Sequence, residues 1–330
     1  MSVLKQMNPT LADVMARTGA DGRLLNVVEM LNETNEVIDD LVMIEANGTT
    51  AHKTTIRSGL PEATWRMFYQ GVQPSKSTVL SISDAIGMLE AYAETDKSLC
   101  DLNGNSAAWR MSEERAFLEA MAQKMAQTLF YGSQAQNGAA FNGLAPRFSD
   151  LHAENARNIV DGGGTGADNT SIWLVVWGAN TCHGIYPKGT KAGLQHHDLG
   201  EVTLHDGNNG MYQGYRSHYK WDLGLSVRDW RYVVRIANVD VKKLTKDGKA
   251  GADLIDLMTQ AVELIPNLNA GKAVFYCNRE IRSILRRQIA NRVVGSTLTM
   301  EEVAGKKVVA FDGIPVRICD QLLSTEERVK

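Results

Sequence analysis

Between residues 219 and 227 the chain alternates without a slip, with Tyr219, Trp221, Leu223, Leu225 and Val227 on one side and Lys220, Asp222, Gly224 and Ser226 on the other. A period of two places the apolar set on one face of a strand. After a break near Asp229, Tyr232, Val234 and Ile236 continue the alternation against Arg231 and Arg235. The pattern predicts long antiparallel strands with one dry face and one solvated or partner-facing side. A sheet of that kind needs a cover.

The cover is legible in residues 112–148. Leu118, Met121, Met125 and Leu129 fall at i, i+3, i+7 and i+11 and line one stripe of a helix about twenty residues long. Ser112 is placed to cap its start, Glu113 and Glu114 suit the positive end of its dipole, and Gly132 is placed to end it in a left-handed turn. The loop SQAQNGAAFNGLAPRF follows.

Flanking segments extend the pattern. Residues 1–45 carry short apolar stripes, among them Leu24, Val27, Val28 and Leu31, that cannot enclose a core and so form an arm laid on its own body or a neighbour. In residues 49–82, TTAHKTTI, WRMFY and STVLSI read as strand-like pieces too thinly apolar to stand alone. Residues 83–103 read as helix. A glycine-rich loop, DGGGTGADNTS, leads into a buried strand, IWLVVWG; it precedes the strand and lacks the G-K-[ST] ending, so it is not a phosphate loop.

Towards the end, Leu254, Leu257, Met258, Ala261 and Leu264 form a helix stopped by Pro266, and AVFYC forms a strand. A further helix turns Ile281, Leu285 and Ile289 inward and Arg279, Arg282, Arg286 and Arg287 outward. Asp312-Gly313 in KVVAFDGIPVRIC is a type I′ hairpin signal.

At 330 residues with 44% hydrophobic and 22% charged side chains, the core is sizeable, and a net charge of −3 argues against a nucleic-acid-gripping surface. No run of 18 apolar residues and no apolar leader occur, so neither a membrane nor secretion is expected. Cys100, Cys182, Cys277 and Cys319 are scattered and read as buried hydrophobes. The nearest approach to a metal site is His196, His197, Asp198, His205 and Asp206, but adjacent histidines diverge on either kind of element. Cys182 beside His183 resembles a nucleophile pair only in sequence. No catalytic, cofactor-binding or metal residue is assigned.

The ordered series SGLPEATWRMFYQGVQPSKS, GMLEAYAETDKSLCDLNGN, FYG with FNGLAPRF, SIWLVVWG, HGIYPKGTKAGLQ, HYKWDLGLSVRDWRYVVRIANVDV and KAVFYCNREI resembles the major capsid proteins of tailed bacteriophages over residues 31–320. The resemblance implies an α+β fold with an N-terminal arm (1–45) and an extended β-hairpin loop (46–83). It also implies a peripheral domain with a long spine helix (84–150 and 200–245) and an axial domain (mainly 151–199 and 246–330). It implies a structural subunit, not an enzyme, that assembles with itself into pentamers and hexamers of an icosahedral head around double-stranded DNA. Scaffolding, cement and portal proteins are further partners it implies, with assembly in the bacterial cytoplasm. The competing readings are a cargo-enclosing nanocompartment of the same fold and a metal-dependent cytosolic enzyme using the histidines above.

Overall fold

A computed structural model describes residues 33–102, 106–206, 210–244, 251–290, 298–303 and 306–330. The stripes of residues 1–32 lie outside the described residues.

The strand IWLVVWG belongs to β5 (Asn169–Trp177), in which all nine residues are buried. Its two faces feed two cores. Trp173, Val175 and Trp177 join Met125, Leu129, Phe130, Leu223 and Leu225. Ile172, Leu174 and Val176 join the inward faces of two helices, Leu254–Glu263 and Arg279–Ala290, through Leu254, Met258, Ile281 and Leu285. A strand covered on both sides must be apolar throughout, which is why it shows no alternation.

Around β5 the sheet is mostly antiparallel. β5 pairs with β10 (Lys272–Cys277) on one side and β9 (Val233–Asp240) on the other, and touches β6 (Cys182–Tyr186) at its end. β6 passes to β8 (Met211–Val227), β8 to β3 (Thr78–Asp96), and β3 to β2 (Ala51–Gly59) at the edge. β7 (Gln195–His205) also lies on β8. At the far end β10 meets β13 (Ile314–Ile318), which is joined to β12 (Lys306–Phe311) by Asp312 and Gly313 at φ 51° and 74°; β11 (Leu298–Val303) lies on β12, and β4 (Ile159–Asp161) on β9. Both turn residues are left-handed, as a type I′ hairpin requires.

The long helix, Ser106–Tyr131, starts six residues before the expected cap at Ser112. Trp109, 1% exposed, packs on Cys100, Leu99 and Tyr215, so tertiary contact holds the extra turns. Met121, Met125 and Leu129 are buried as the stripe predicts, whereas Leu118 is 38% exposed. Met121 meets Ala93 of β3 and Tyr219 of β8, so the helix does cover the sheet. Gly132 ends the helix without a left-handed turn. A Cβ there would stand 2.6 Å from the Phe141 carbonyl oxygen, because the FNGL loop closes over the helix end with Leu144 N donating to Leu129 O at 2.9 Å. Close approach, not backbone conformation, selects the glycine.

Three further expectations are corrected. Residues 83–96, expected as helix, continue β3, which pairs with β8 from Ile86↔Gly224 to Asp96↔Gly214; only Lys97–Cys100 is helical. The Ala, Met, Leu and Glu of this stretch favour helix, but propensity is a weak prior against a long partner strand. WRMFY forms no strand. The polar face of β8 is not wet near its end, since Asp222 and Ser226 are buried.

Arg235, expected on the solvated side of β9, is 4% exposed. Its guanidinium meets Glu326 at 2.8 Å and donates to the Phe148 carbonyl at 2.8 Å and to Ser171 Oγ at 3.0 Å. Residues 33–45 also join the body. β1 (Met43–Glu45) pairs in parallel with β6, and buried Asp40 meets Lys272 Nζ at 2.5 Å, the Tyr276 hydroxyl at 2.7 Å and Arg317 Nε at 3.2 Å.

Leu225 is fully buried in the first core. Leu225→Asp is expected to cost at least about 3 kcal/mol from lost packing alone, and more from the unpaired carboxylate. Circular dichroism of the soluble fraction should show little or no native protein; a thermal midpoint like that of the parent would contradict the assigned burial.

Candidate functional site: the projecting hairpin

β2 and the first half of β3 form a hairpin, paired from Ala51↔Ala85 to Gly59↔Thr78, with residues 60–77 as its tip. The tip is apolar and bare. Trp65 and Tyr69 are as exposed as in an isolated residue, at 103% and 106%, and Phe68 is 91% exposed, with Leu60, Met67 and Val72 also in water. Tyr69 sits at φ 66°, a left-handed conformation uncommon for an aromatic residue, in the turn where Gln70 N donates to Met67 O. Large contiguous exposed apolar groups mark a binding surface. Burying each would contribute about 1.5–3 kcal/mol.

The root is anchored where the tip is not. Asp84, 3% exposed, accepts from Arg147 Nη2 at 2.8 Å, and the same nitrogen reaches the Leu225 carbonyl at 2.9 Å. The loop that closes the long helix therefore also ties down the hairpin. On the outer edge Asn47 donates to Lys53 O at 2.6 Å and accepts from Lys53 N at 2.9 Å, occupying backbone groups that an edge strand leaves open. Beneath the hairpin an open groove of about 940 Å³ runs between Ile56, Leu80 and Ile82 and the body residues Trp230, Arg228 and Arg231. The molecule thus offers an apolar prong on a fixed stem.

No comparable convergence exists at the histidines. His196 stacks on Tyr219 at 4.8 Å between ring centroids, while its neighbour His197 pairs with His218 in the β7–β8 register. Asp198 meets Arg110 at 2.7 Å, which holds its carboxyl below the usual carboxylate range. His205 lies at the other end of β7, and Asp206 accepts from Gly210 N at 2.6 Å. Among the described residues no three His, Cys, Asp or Glu side chains converge on a metal-sized site. Cys182 is buried beside His183, and burial pushes its thiol up to about 12, opposite to the activation a nucleophile needs. All four cysteines are buried and free. In the glycine-rich loop Gly162 N and Gly164 N donate to the carbonyls of Ala237 and Asn238, so these amides are committed to the fold rather than to an anion.

The arginine face is partly spent within the chain. Arg279 meets Asp320 at 2.6 Å and Arg282 meets Glu36 at 3.6 Å. Both pairs lie within the chain, so these two outward-facing arginines meet acidic side chains of their own fold.

A family model described as major capsid protein GP7 matches residues 19–330. The chain belongs to the major capsid protein GP7 family. A chain from the structure of bacteriophage Epsilon15 is 39% identical, with a TM-score of 0.77, covering 100% of this chain and 99% of that one. The bacteriophage JBD30 capsid is 10% identical with a TM-score of 0.49, covering 89% of this chain and 93% of that chain. The SrpI encapsulin of Synechococcus elongatus is 12% identical with a TM-score of 0.48, covering 72% and 99%. No curated protein matches the chain. This GP7-family member is therefore a structural subunit of a tailed-phage capsid with the α+β capsid fold, and the exposed prong is read in that light.

The sequence marks the hairpin but not the character of its tip. WRMFY has the aromatic, β-prone composition of a paired strand; its exposure is a signal that composition alone does not carry. Arg147, which anchors the root, carries no local mark in the sequence.

Proposed function

We propose that copies of this capsid protein close into the pentamers and hexamers of an icosahedral head around double-stranded DNA, with the hairpin tip of each copy buried against a neighbour. The observation that carries this reading is the bare Trp65, Phe68 and Tyr69 on an anchored stem, in a chain of a capsid family. Rotationally repeated heterologous contacts of this kind generate closed rings. In this reading residues 1–45 serve as arm, 46–83 as extended loop, 84–150 and 200–245 as peripheral domain with its spine helix, and 151–199 and 246–330 mainly as axial domain. Residues 33–45 then form the point where the arm joins its own body. A net charge of −3 suits a container that must package and release its genome, since a strongly basic lining would hold the DNA. Assembly takes place in the bacterial cytoplasm, with scaffolding, cement and portal proteins as further partners.

Hydroxyl-radical footprinting tests the central contact. Trp65, Phe68 and Tyr69 are expected to oxidise several-fold more slowly in particles than in the unassembled chain, while Met88, 69% exposed on β3, serves as an internal comparison. Equal oxidation of the three tip residues in both states would count against the tip as a contact.

A further inference from the structure

Four side chains line up across the strands at the hairpin root. Register pairs His183 of β6 with Ser226 of β8 and His52 of β2 with Asp84 of β3, and Arg147 Nη2, bound to both Asp84 Oδ1 and the Leu225 carbonyl, draws the two pairs together just beyond the first β3–β8 pair, Ile86↔Gly224. Cross-strand neighbours share a face, so the four form one polar row. The hairpin bends so far over the body that the His52 and His183 rings meet edge to face at 6.0 Å, although two strands separate theirs in the sheet.

His183 is 1% exposed, and neither ring nitrogen makes a well-formed hydrogen bond, the Gly178 carbonyl acting on the ring only weakly; Asp84 Oδ2, Ser226 Oγ and Thr54 Oγ1 are unpartnered as well. A buried cluster with this many open polar atoms is held by its surroundings and not by its own bonds. Charged and titratable groups face the ring from each side. His52 from β2 and Arg228 beyond β8 oppose a positive charge on it, while Asp84 from β3 favours one. Asp84 is already bound to Arg147. Burial is the leading influence on the ring and, with His52 and Arg228, lowers its pKa against the opposing pull of the Gly178 carbonyl and Asp84.

We propose that His183 is a proton sensor for the seating of the hairpin: the neutral ring keeps β2 and β3 down on the body, and protonation lifts them. The seated state binds its proton less tightly than the open state. Seating is therefore at full strength above the ordinary histidine value of about 6.5 and is lost progressively as pH falls below it. One linked proton raises the ratio of open to seated hairpin by up to about tenfold per pH unit through that window. The device resides in the hairpin root, so it stands whether or not the tip contacts a second copy.

Hydrogen exchange of the β2 amides in the purified full-length chain, corrected for intrinsic rates from pH 7.5 to 5, reads this directly. In the parent protein, opening should rise as pH falls below about 6.5, by up to about tenfold per unit; in His183→Gln the profile should be flat, and in His52→Gln the slope should persist. A flat parent profile, an unchanged slope in His183→Gln, or a slope abolished by His52→Gln alone would overturn the assignment. Should His183→Gln fail to fold, histidine C2-proton exchange in the parent remains decisive. A His183 pKa below 6.5 is expected, and one at or above it would overturn the proposal.

Discussion

Replacing both Trp65 and Phe68 with serine is expected to leave the chain folded and to stop shell formation. The two rings are 103% and 91% exposed, so the folded subunit gains nothing from them, and stability should stay within about 0.5 kcal/mol. Interface anchors of this type contribute about 2 kcal/mol each when buried. Losing two weakens each contact by about 4 kcal/mol, roughly a thousandfold in its equilibrium constant. A shell repeats that loss at every contact. Sedimentation should show slow, discrete species in place of fast particles, with the circular dichroism spectrum unchanged; particles at parental yield would remove the tip from the assembly mechanism.

The second large effect is internal. Glu326→Ala would leave Arg235 buried and unpaired between β9 and the long helix. The carboxylate now meets Arg235 at 2.8 Å and accepts from the Tyr131 hydroxyl at 2.5 Å and from Ser171, in side chains 5% exposed at both members of the ion pair. The arrangement also pushes the Tyr131 hydroxyl well above its ordinary pKa, with burial the main cause and the Glu326 charge next. Removing one partner of a buried pair costs about 3–5 kcal/mol, a large share of a domain's stability. The guanidinium unfolding midpoint of the unassembled chain should fall accordingly. In the double variant Arg235→Met with Glu326→Met, much of that loss should return, because no charge is left stranded. A single variant as stable as the parent would show that the pair is open to water.

What the chain reveals in advance divides along a physical line. Elements fixed by local pattern were legible. The inward faces of the last two helices, the uninterrupted run of β5 and the Asp312-Gly313 turn follow from periodicity and backbone conformation within a few residues. Elements fixed by distant partners were not. Residues 83–96 become strand because β8 lies alongside, and Ser106–Tyr131 starts early because Trp109 finds Cys100. Arg235 looks solvated until Glu326, far along the chain, supplies its counter-charge. The same holds at the hairpin. Its polar, turn-rich strands announce dependence on another surface, but the bare tip and the Asp84–Arg147 anchor emerge only once the chain is folded.

Copies of this capsid protein are expected to close into shells with each hairpin tip seated on a neighbour. Electron microscopy of particles formed by the expressed chain decides this. The expected result is uniform closed shells with five-fold and six-fold clusters of subunits, each hairpin tip covered by an adjacent copy. Discrete small oligomers, or shells in which Trp65, Phe68 and Tyr69 remain in solvent, would contradict it.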